Sequence, residues 1–238
     1  MPMPIPNWQA LQQAADRAQL GADQPRAVEL YTAALAQPGA PWTAICALRL
    51  ARARSWLMLG DFAAIERDLS ELAEQAAAAG DDLAHATALT QAVVALRSVG
   101  DLARCRAMGE EAVRAAARTS SPEALVAAYF ALSLIQFELG DFKALQMSVQ
   151  AAEARLTPAD ALGQIKTAFA RAALLMRTGD HHQSLLIAEG ALRLARAQGW
   201  RDWEAHCQNL IAIVTPDLAY HCLLYTSLQN GAHPARRF

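Results

Sequence analysis

Along most of the chain, apolar stretches made largely of Ala and Leu are interrupted every few positions by Arg, Glu or Gln. Runs of β-branched residues are few. Ala and Leu lose little conformational entropy in a helix, so this composition favours helices over strands. The pattern predicts an all-α protein, and 54% hydrophobic residues in 238 are enough to build a continuous core.

A short Gly-Asp motif recurs along the chain. Its clear copies are Leu59-Gly60-Asp61-Phe62, Val99-Gly100-Asp101-Leu102, Leu139-Gly140-Asp141-Phe142 and Thr178-Gly179-Asp180-His181. The glycines at 60, 100, 140 and 179 are 40, 40 and 39 residues apart. A degenerate copy, Leu20-Gly21-Ala22-Asp23, lies 39 residues before Gly60. Constant spacing of this kind is the signature of a repeat architecture.

Each Gly-Asp pair predicts a corner between two helices. Glycine takes the left-handed conformation that ends one helix, and aspartate accepts hydrogen bonds from the free amides of the next. Further breaks between the corners, such as Ser121-Pro122, resemble helix starts. We predict helices at 7–20, 24–37, 42–59, 61–79, 82–99, 101–118, 122–139, 141–156, 159–178, 180–198 and 201–214. These form five hairpins and one unpaired helix, which must stack to bury their apolar faces.

Small residues recur at fixed positions in these hairpins. Seven positions before the corner glycine stand Ala14, Ala53, Ser133 and Ala172, with Val93 as the exception. In the second helices a small residue recurs at Ala34, Ala112, Ala152 and Ala191. Seven positions earlier the residues are Ala27, Ile65, Cys105, Leu145 and Ser184, of which Ala27 fits best. Small residues at such positions let helices approach closely.

In these residues the chain resembles the tetratricopeptide repeat family over residues 7–214. The resemblance implies an all-α, right-handed α-solenoid of antiparallel helical hairpins. The period of about 40 exceeds the 34 residues of the common repeat. With this longer period the chain is similar to the repeat regions of large bacterial regulators, such as maltose-activator-type transcription factors and signalling proteins linked to cyclases or AAA-type ATPases.

The resemblance also implies a function without catalysis, as a scaffold for protein interaction or effector sensing. In that family the first helices of successive hairpins line a groove that binds peptides or effectors. The corresponding positions here are Arg54, Met58, Thr90, Arg97, Phe130, Phe137, Glu138, Phe169 and Arg177. Alternatively, the three Phe belong to the core between repeats and the three Arg are solvated. We expect a protein or peptide partner, or a small effector molecule.

The end of the chain loses the repeat rhythm. We expect a flexible segment at 1–6, a repeat domain at 7–214 and an irregular tail at 215–238 that is natural, foreign or frame-shifted. Solenoids usually end in a helix with a polar outer face, whereas the last helix carries Leu210, Ile211, Ile213 and Val214. This predicts self-association through residues 201–225. Alternatively, the chain is a truncated fragment of a multidomain transcriptional regulator or signalling ATPase or cyclase.

Charge and composition exclude several function classes. A net charge of −2 leaves no basic surplus for nucleic acid or for an anionic membrane. The first residues lack the basic and apolar regions of a secretory signal, and no apolar stretch approaches the roughly 20 residues needed to cross a bilayer. We therefore expect a soluble, cytoplasmic protein. Among 21 basic residues only Lys143 and Lys166 are lysine, which indicates a GC-rich bacterial gene.

Candidate chemistry is sparse. No phosphate-binding Gly-rich loop, nucleophile elbow or His-Glu-x-x-His helix occurs, so we expect neither an enzyme nor a cofactor. The pairs His181-His182, His206-Cys207 and His221-Cys222 have adjacent side chains about 100° apart on a helix, unsuited to one zinc ion. We interpret the four cysteines as reduced thiols. Arg49, Arg52 and Arg54 are expected to fan over different helix faces in solvated or ion-paired roles.

Overall fold

The computed structural model describes residues 7–99 and 101–215. These residues form eleven α-helices and no strand. The helices are α1 (Trp8–Leu20), α2 (Gln24–Leu35), α3 (Trp42–Leu59), α4 (Phe62–Ala79), α5 (Asp82–Leu96), α6 (Leu102–Ala117), α7 (Pro122–Glu138), α8 (Phe142–Glu153), α9 (Ala161–Thr178), α10 (His181–Gln198) and α11 (Arg201–Val214). The predicted all-α fold of helical hairpins is confirmed. The predictions for residues 1–6 and 216–238 concern parts of the chain outside the described residues.

The Gly-Asp corners follow the geometry expected from their residue types. Gly60, Gly140 and Gly179 have φ angles of 73°, 70° and 93°, in the left-handed region where a Cβ would cause strain. The aspartates behind them cap the next helix, as Asp61 does by accepting a bond from the Ala64 amide at 2.9 Å. Gly100 lies outside the described residues.

The degenerate first corner is built differently. Its glycine, Gly21, has a φ of −77°, whereas Ala22 takes the left-handed conformation with a φ of 61°. In the other copies the glycine directly precedes the capping aspartate, but here Ala22 holds that place before Asp23. The residue directly before the capping aspartate therefore takes the left-handed conformation, even where that residue is not glycine.

The chain forms two compact units, Met1–Gly140 and Asp141–Phe238. The described part of the first unit contains α1 to α7. Its core includes the predicted small positions on α3, α6 and α7, where Ala53, Ala112 and Ser133 are buried. At Gly109, in the middle of α6, an added Cβ would lie 3.2 Å from Leu132 of α7. Small residues thus set the helix spacing, as the repeat pattern predicts.

Ion pairs join successive helices of the first unit. Arg52 on α3 donates two hydrogen bonds to Asp68 on α4, at 2.7 and 2.5 Å, and one to the Thr32 hydroxyl at 2.9 Å. Arg49 pairs with Glu71 on α4 at 2.7 Å. The expectation that these arginines fan over different faces was wrong for this pair, because residues three apart share one face of a helix. Their ion-paired role is confirmed.

The described part of the second unit contains α8 to α11. Ser184 of α10 donates a hydrogen bond to the Ala172 carbonyl of α9 at 2.7 Å, which ties two of the predicted small positions together. Leu210, Ile211 and Val214 of α11 are buried in the same cluster. Of the four apolar residues of the last helix that were expected to promote self-association, Ile213 is exposed, with 45% of its surface accessible. Most of the apolar residues expected on the surface of α11 are therefore buried.

Candidate functional site

Exposed apolar side chains of the first unit lie on one set of helices. We call α1, α3, α5 and α7 first helices and α2, α4 and α6 second helices, by their order within each hairpin. Every large hydrophobic residue exposed in the described part of this unit lies on a first helix or directly behind its end. They are Leu20, Leu57, Met58, Leu59, Leu83, Val94, Val99 and Leu139. We call this set the apolar face.

The exposed positions of the second helices are mostly charged residues and alanines, and none is a large hydrophobic residue. Arg26 pairs with Glu29 on α2 at 2.7 Å, and Arg106 with Glu110 on α6 at 3.0 Å. Such pairs along an exposed helix keep that surface hydrated and contribute little stability. Within this unit the two sets of helices therefore differ in that the first helices expose large hydrophobic residues and the second helices do not.

The predicted groove residues of the first unit divide by exposure. Met58 is 73% exposed, and Arg54 is also exposed on α3. Thr90 and Phe137 are half-buried. The groove prediction was wrong for Phe130, because this residue is 6% exposed and belongs to the core. Its ring is therefore not available to a partner.

Two predicted groove residues bind each other. Arg97, directly behind α5, donates a hydrogen bond to Glu138 Oε1 at the end of α7 at 3.0 Å. Both side chains are about one-third exposed, at 34% and 35%. The pair joins the ends of two successive first helices beside the exposed Val99 and Leu139.

The other two predicted groove residues lie in the second unit. Phe169 of α9 meets the rings of Trp203 and His206 of α11 edge to face, with centroids 6.0 and 6.3 Å apart. The guanidinium of Arg177 lies 5.4 Å from the ring centroid of Phe142, a cation–π distance. This aromatic packing between α9 and α11 was not predicted from the sequence, since nothing in the repeat pattern pairs Phe169 with α11.

A cavity of about 250 Å³ opens in the first unit where α4, α5 and α6 meet. Its lining consists of Phe62, Ala63, Glu66, Leu96, Val99, Asp101, Arg104, Cys105 and Met108. Glu66 and Arg104 form an ion pair within this lining. From the sequence, Cys105 was predicted to be a reduced thiol and a poor match to a small-residue position, and no cavity was predicted.

Burial shifts the pKa of several thiols and of one lysine on the helices. It raises the pKa of the Cys46 and Cys105 thiols, and it raises that of Cys207 to about 11. These thiols are therefore protonated and weakly reactive at neutral pH. On α9, burial lowers the pKa of Lys166, and the charge of Asp160 partly offsets this effect.

The described residues contain no cluster of three or more His, Cys, Asp or Glu side chains that could hold a metal ion. His181 and His182 are both exposed at the start of α10. His221 and Cys222 lie outside the described residues. Within the part of the chain that the structure describes, no helix is both long and apolar enough to span a bilayer.

Comparison with known proteins indicates the fold. No family model and no curated protein matches the chain. Among solved structures it is similar to a signal transduction ATPase with numerous domains (STAND) that carries a tetratricopeptide repeat sensor, from Pyrococcus horikoshii. The match has a TM-score of 0.59 and 12% identity, and it covers 95% of this chain and 36% of that protein. The chain thus spans about a third of its structural neighbour, and the likeness shows a shared all-helical repeat fold.

Proposed function

We propose that the chain is a tetratricopeptide-like scaffold that binds a protein partner through the apolar face of its first unit. The observation that carries this proposal is that, in the described part of the first unit, every exposed large hydrophobic residue lies on a first helix or directly behind its end, and none lies on a second helix. The centres of protein interfaces are likewise depleted of charged residues and surrounded by polar ones. Large exposed hydrophobic residues gathered on one set of helices support an interaction site there.

Binding on this surface needs no chemistry from the chain. Stacked helices hold the apolar face in place before the partner arrives, which lowers the entropy cost of association. Met58 is an adaptable anchor, since its unbranched thioether fills irregular space. Arg97 and Glu138, paired with each other, form a polar border that orients the partner.

Matched charge substitutions test the proposal. The variant Met58→Glu/Leu83→Glu places two charges on the apolar face. Its control, Met147→Glu/Leu186→Glu, makes the same changes at similarly exposed sites of α8 and α10 (64% and 48% exposed, against 73% and 47%). Tagged proteins are used to capture partners from extracts of the cells that produce the protein. A partner held by the wild type and the control but lost by the first variant supports the proposal, whereas equal capture by all three contradicts it.

A second candidate function is that of the sensor part of a longer signalling or transcriptional regulator. The match to 36% of a multidomain ATPase favours it. On this account the apolar face contacts the neighbouring domains of the same polypeptide. Sequencing the surrounding gene in all frames tests it, because an adjoining ATPase, cyclase or DNA-binding domain is then expected.

A further inference from the structure

The cavity between α4, α5 and α6 has an apolar interior. Phe62 from the first turn of α4, Leu96 from the end of α5 and Met108 from the second turn of α6 line it. Val99, which is 56% exposed, forms part of the wall toward solvent. The interior therefore favours an aliphatic or thioether group over a charged one.

Cys105 lines the cavity at a position of the repeat where residue size varies. It follows its corner glycine by five positions, where the neighbouring repeats carry Ile65 and Leu145. Those two side chains are fully buried, as are the smaller Ala27 and Ser184 at the same position of two other repeats. A thiol is smaller than a branched aliphatic side chain, so an isoleucine at position 105 would occupy part of the cavity.

Both signs of charge lie in the cavity wall. Arg104 of α6 provides a guanidinium that is 55% exposed, and its partner Glu66 of α4 is 39% exposed. Asp101 adds a second, exposed carboxylate, whose Oδ1 accepts the Ala103 amide at 2.9 Å. A ligand that carries one anionic and one cationic group can therefore pair each of them with a side chain of opposite charge.

From these features we infer that the cavity is a binding site for a free apolar α-amino acid. Its carboxylate binds Arg104, its ammonium group binds Glu66 and Asp101, and its side chain enters the apolar interior. The volume of about 250 Å³ lies below the roughly 300–1,000 Å³ of sites for drug-sized ligands, which suits a molecule of this size. The cavity shares Val99 with the apolar face, but its charged groups and its other lining residues lie outside that set, so the inference does not depend on the proposed partner.

Calorimetric titration of the full chain tests the inference, with L-leucine, L-methionine and L-phenylalanine as probes. At least one should bind with one-to-one stoichiometry. Leucinamide lacks the carboxylate and 4-methylpentanoate lacks the ammonium group, so each should bind at least tenfold more weakly than L-leucine if leucine is the ligand. If methionine or phenylalanine is the ligand, its amide and its deaminated acid are the corresponding control compounds. Absence of binding by all three amino acids at 10 mM, about 10,000-fold above a micromolar dissociation constant, overturns the inference.

Variants locate the site. Cys105→Ile introduces the residue that the preceding repeat carries at this position, and it should reduce amino acid affinity at least tenfold by filling the cavity. Arg104→Gln and Glu66→Gln change exposed side chains, so they retain the fold and should also weaken binding at least tenfold. Unchanged affinity in both charge variants would overturn the inference, even if Cys105→Ile failed to fold.

Methyl NMR gives an independent location. In methionine-labelled protein the Met108 resonance should shift on adding the amino acid, while those of exposed Met58 and Met147 stay unchanged. Shifts at Met58 or Met147 without one at Met108 contradict the assignment. Amino acid binding should persist in Met58→Glu/Leu83→Glu, so failure of the partner proposal and failure of this one give different results.

Discussion

The indole of Trp42 donates a hydrogen bond from Nε1 to Oδ2 of Asp81 at 2.8 Å. The other oxygen of Asp81 accepts the backbone amide of Ala84 at 2.9 Å and caps α5. One carboxylate therefore both starts α5 and anchors the first turn of α3, so the start of one hairpin is bound to the start of the next. The Ala84 amide and the Trp42 indole lower the pKa of Asp81.

Trp42→Phe should destabilise the protein by about 1 kcal/mol at pH 7, because it removes a hydrogen bond to a charged acceptor at a partly exposed site. The stabilisation from Asp81 is present above the unfolded carboxyl pKa of about 3.9 and is lost as pH falls through the lower folded value. Urea unfolding at pH 7 and pH 3 measures this. A difference between wild type and variant that stays constant from pH 7 to pH 3 would show that the bond to ionised Asp81 contributes nothing.

Much of this fold could be predicted from the sequence because the residues that end and start its helices recur at regular spacing. The spacing of Gly60, Gly140 and Gly179 and the aspartates behind them fixed the helix bounds to within about three residues. The bond between Trp42 and Asp81 could not be predicted, since it depends on how neighbouring hairpins stack. The same holds for the shared face of Arg49 and Arg52, which required knowing that both face α4.

The candidate site was harder to predict for a different reason. The groove positions came from the geometry of a related family, which does not determine burial, and Phe130 is buried in this chain. A better signal stands in the motif itself, where Leu20, Leu59, Val99 and Leu139 directly precede the corner glycine. The cavity could not be predicted either, because it depends on how α4, α5 and α6 pack around Cys105.

Ala22→Gly should stabilise the protein by about 1 kcal/mol, because Ala22 holds a left-handed conformation that costs a residue with a Cβ roughly 1–2 kcal/mol. Gly60→Ala is the matched opposite change at a left-handed corner and should destabilise by a similar amount. Both are read from thermal or urea unfolding. If the two substitutions shifted stability in the same direction, the assignment of the left-handed residue at the first corner would be wrong.

Arg52→Met should destabilise the protein by about 3 kcal/mol, because it leaves the carboxylate of Asp68 in a largely buried site without its counterion. Combining it with Asp68→Leu should recover most of that loss, since an apolar pair of similar size needs no compensation. Denaturant midpoints of the single and double variants give the coupling. A double variant less stable than Arg52→Met would contradict this explanation.

Lys166→Met should raise the melting temperature at pH 7, because the lowered pKa of Lys166 shows that burial disfavours its charged form. In the wild type the unfolded chain binds the Lys166 proton more tightly than the folded protein does. The contribution of Lys166 to the free energy of unfolding therefore increases as pH rises toward the unfolded lysine pKa of about 10.4. The variant lacks this gain. The exposed Lys143 gives the control Lys143→Met, and because the chain has two lysines their labelled Cε resonances can be titrated separately. A Lys166 resonance that titrates with or above that of Lys143 would refute the prediction.

Photo-crosslinking from single positions tests the proposed function most directly. A photoreactive phenylalanine analogue is placed at Met58 or Val94 on the apolar face, and at Met147 or Leu186 on α8 and α10, in the cells that produce the protein. The account predicts that one discrete protein partner crosslinks from Met58 and Val94 and not from Met147 or Leu186. Crosslinks confined to Met147 and Leu186, or none from Met58 and Val94, would contradict it.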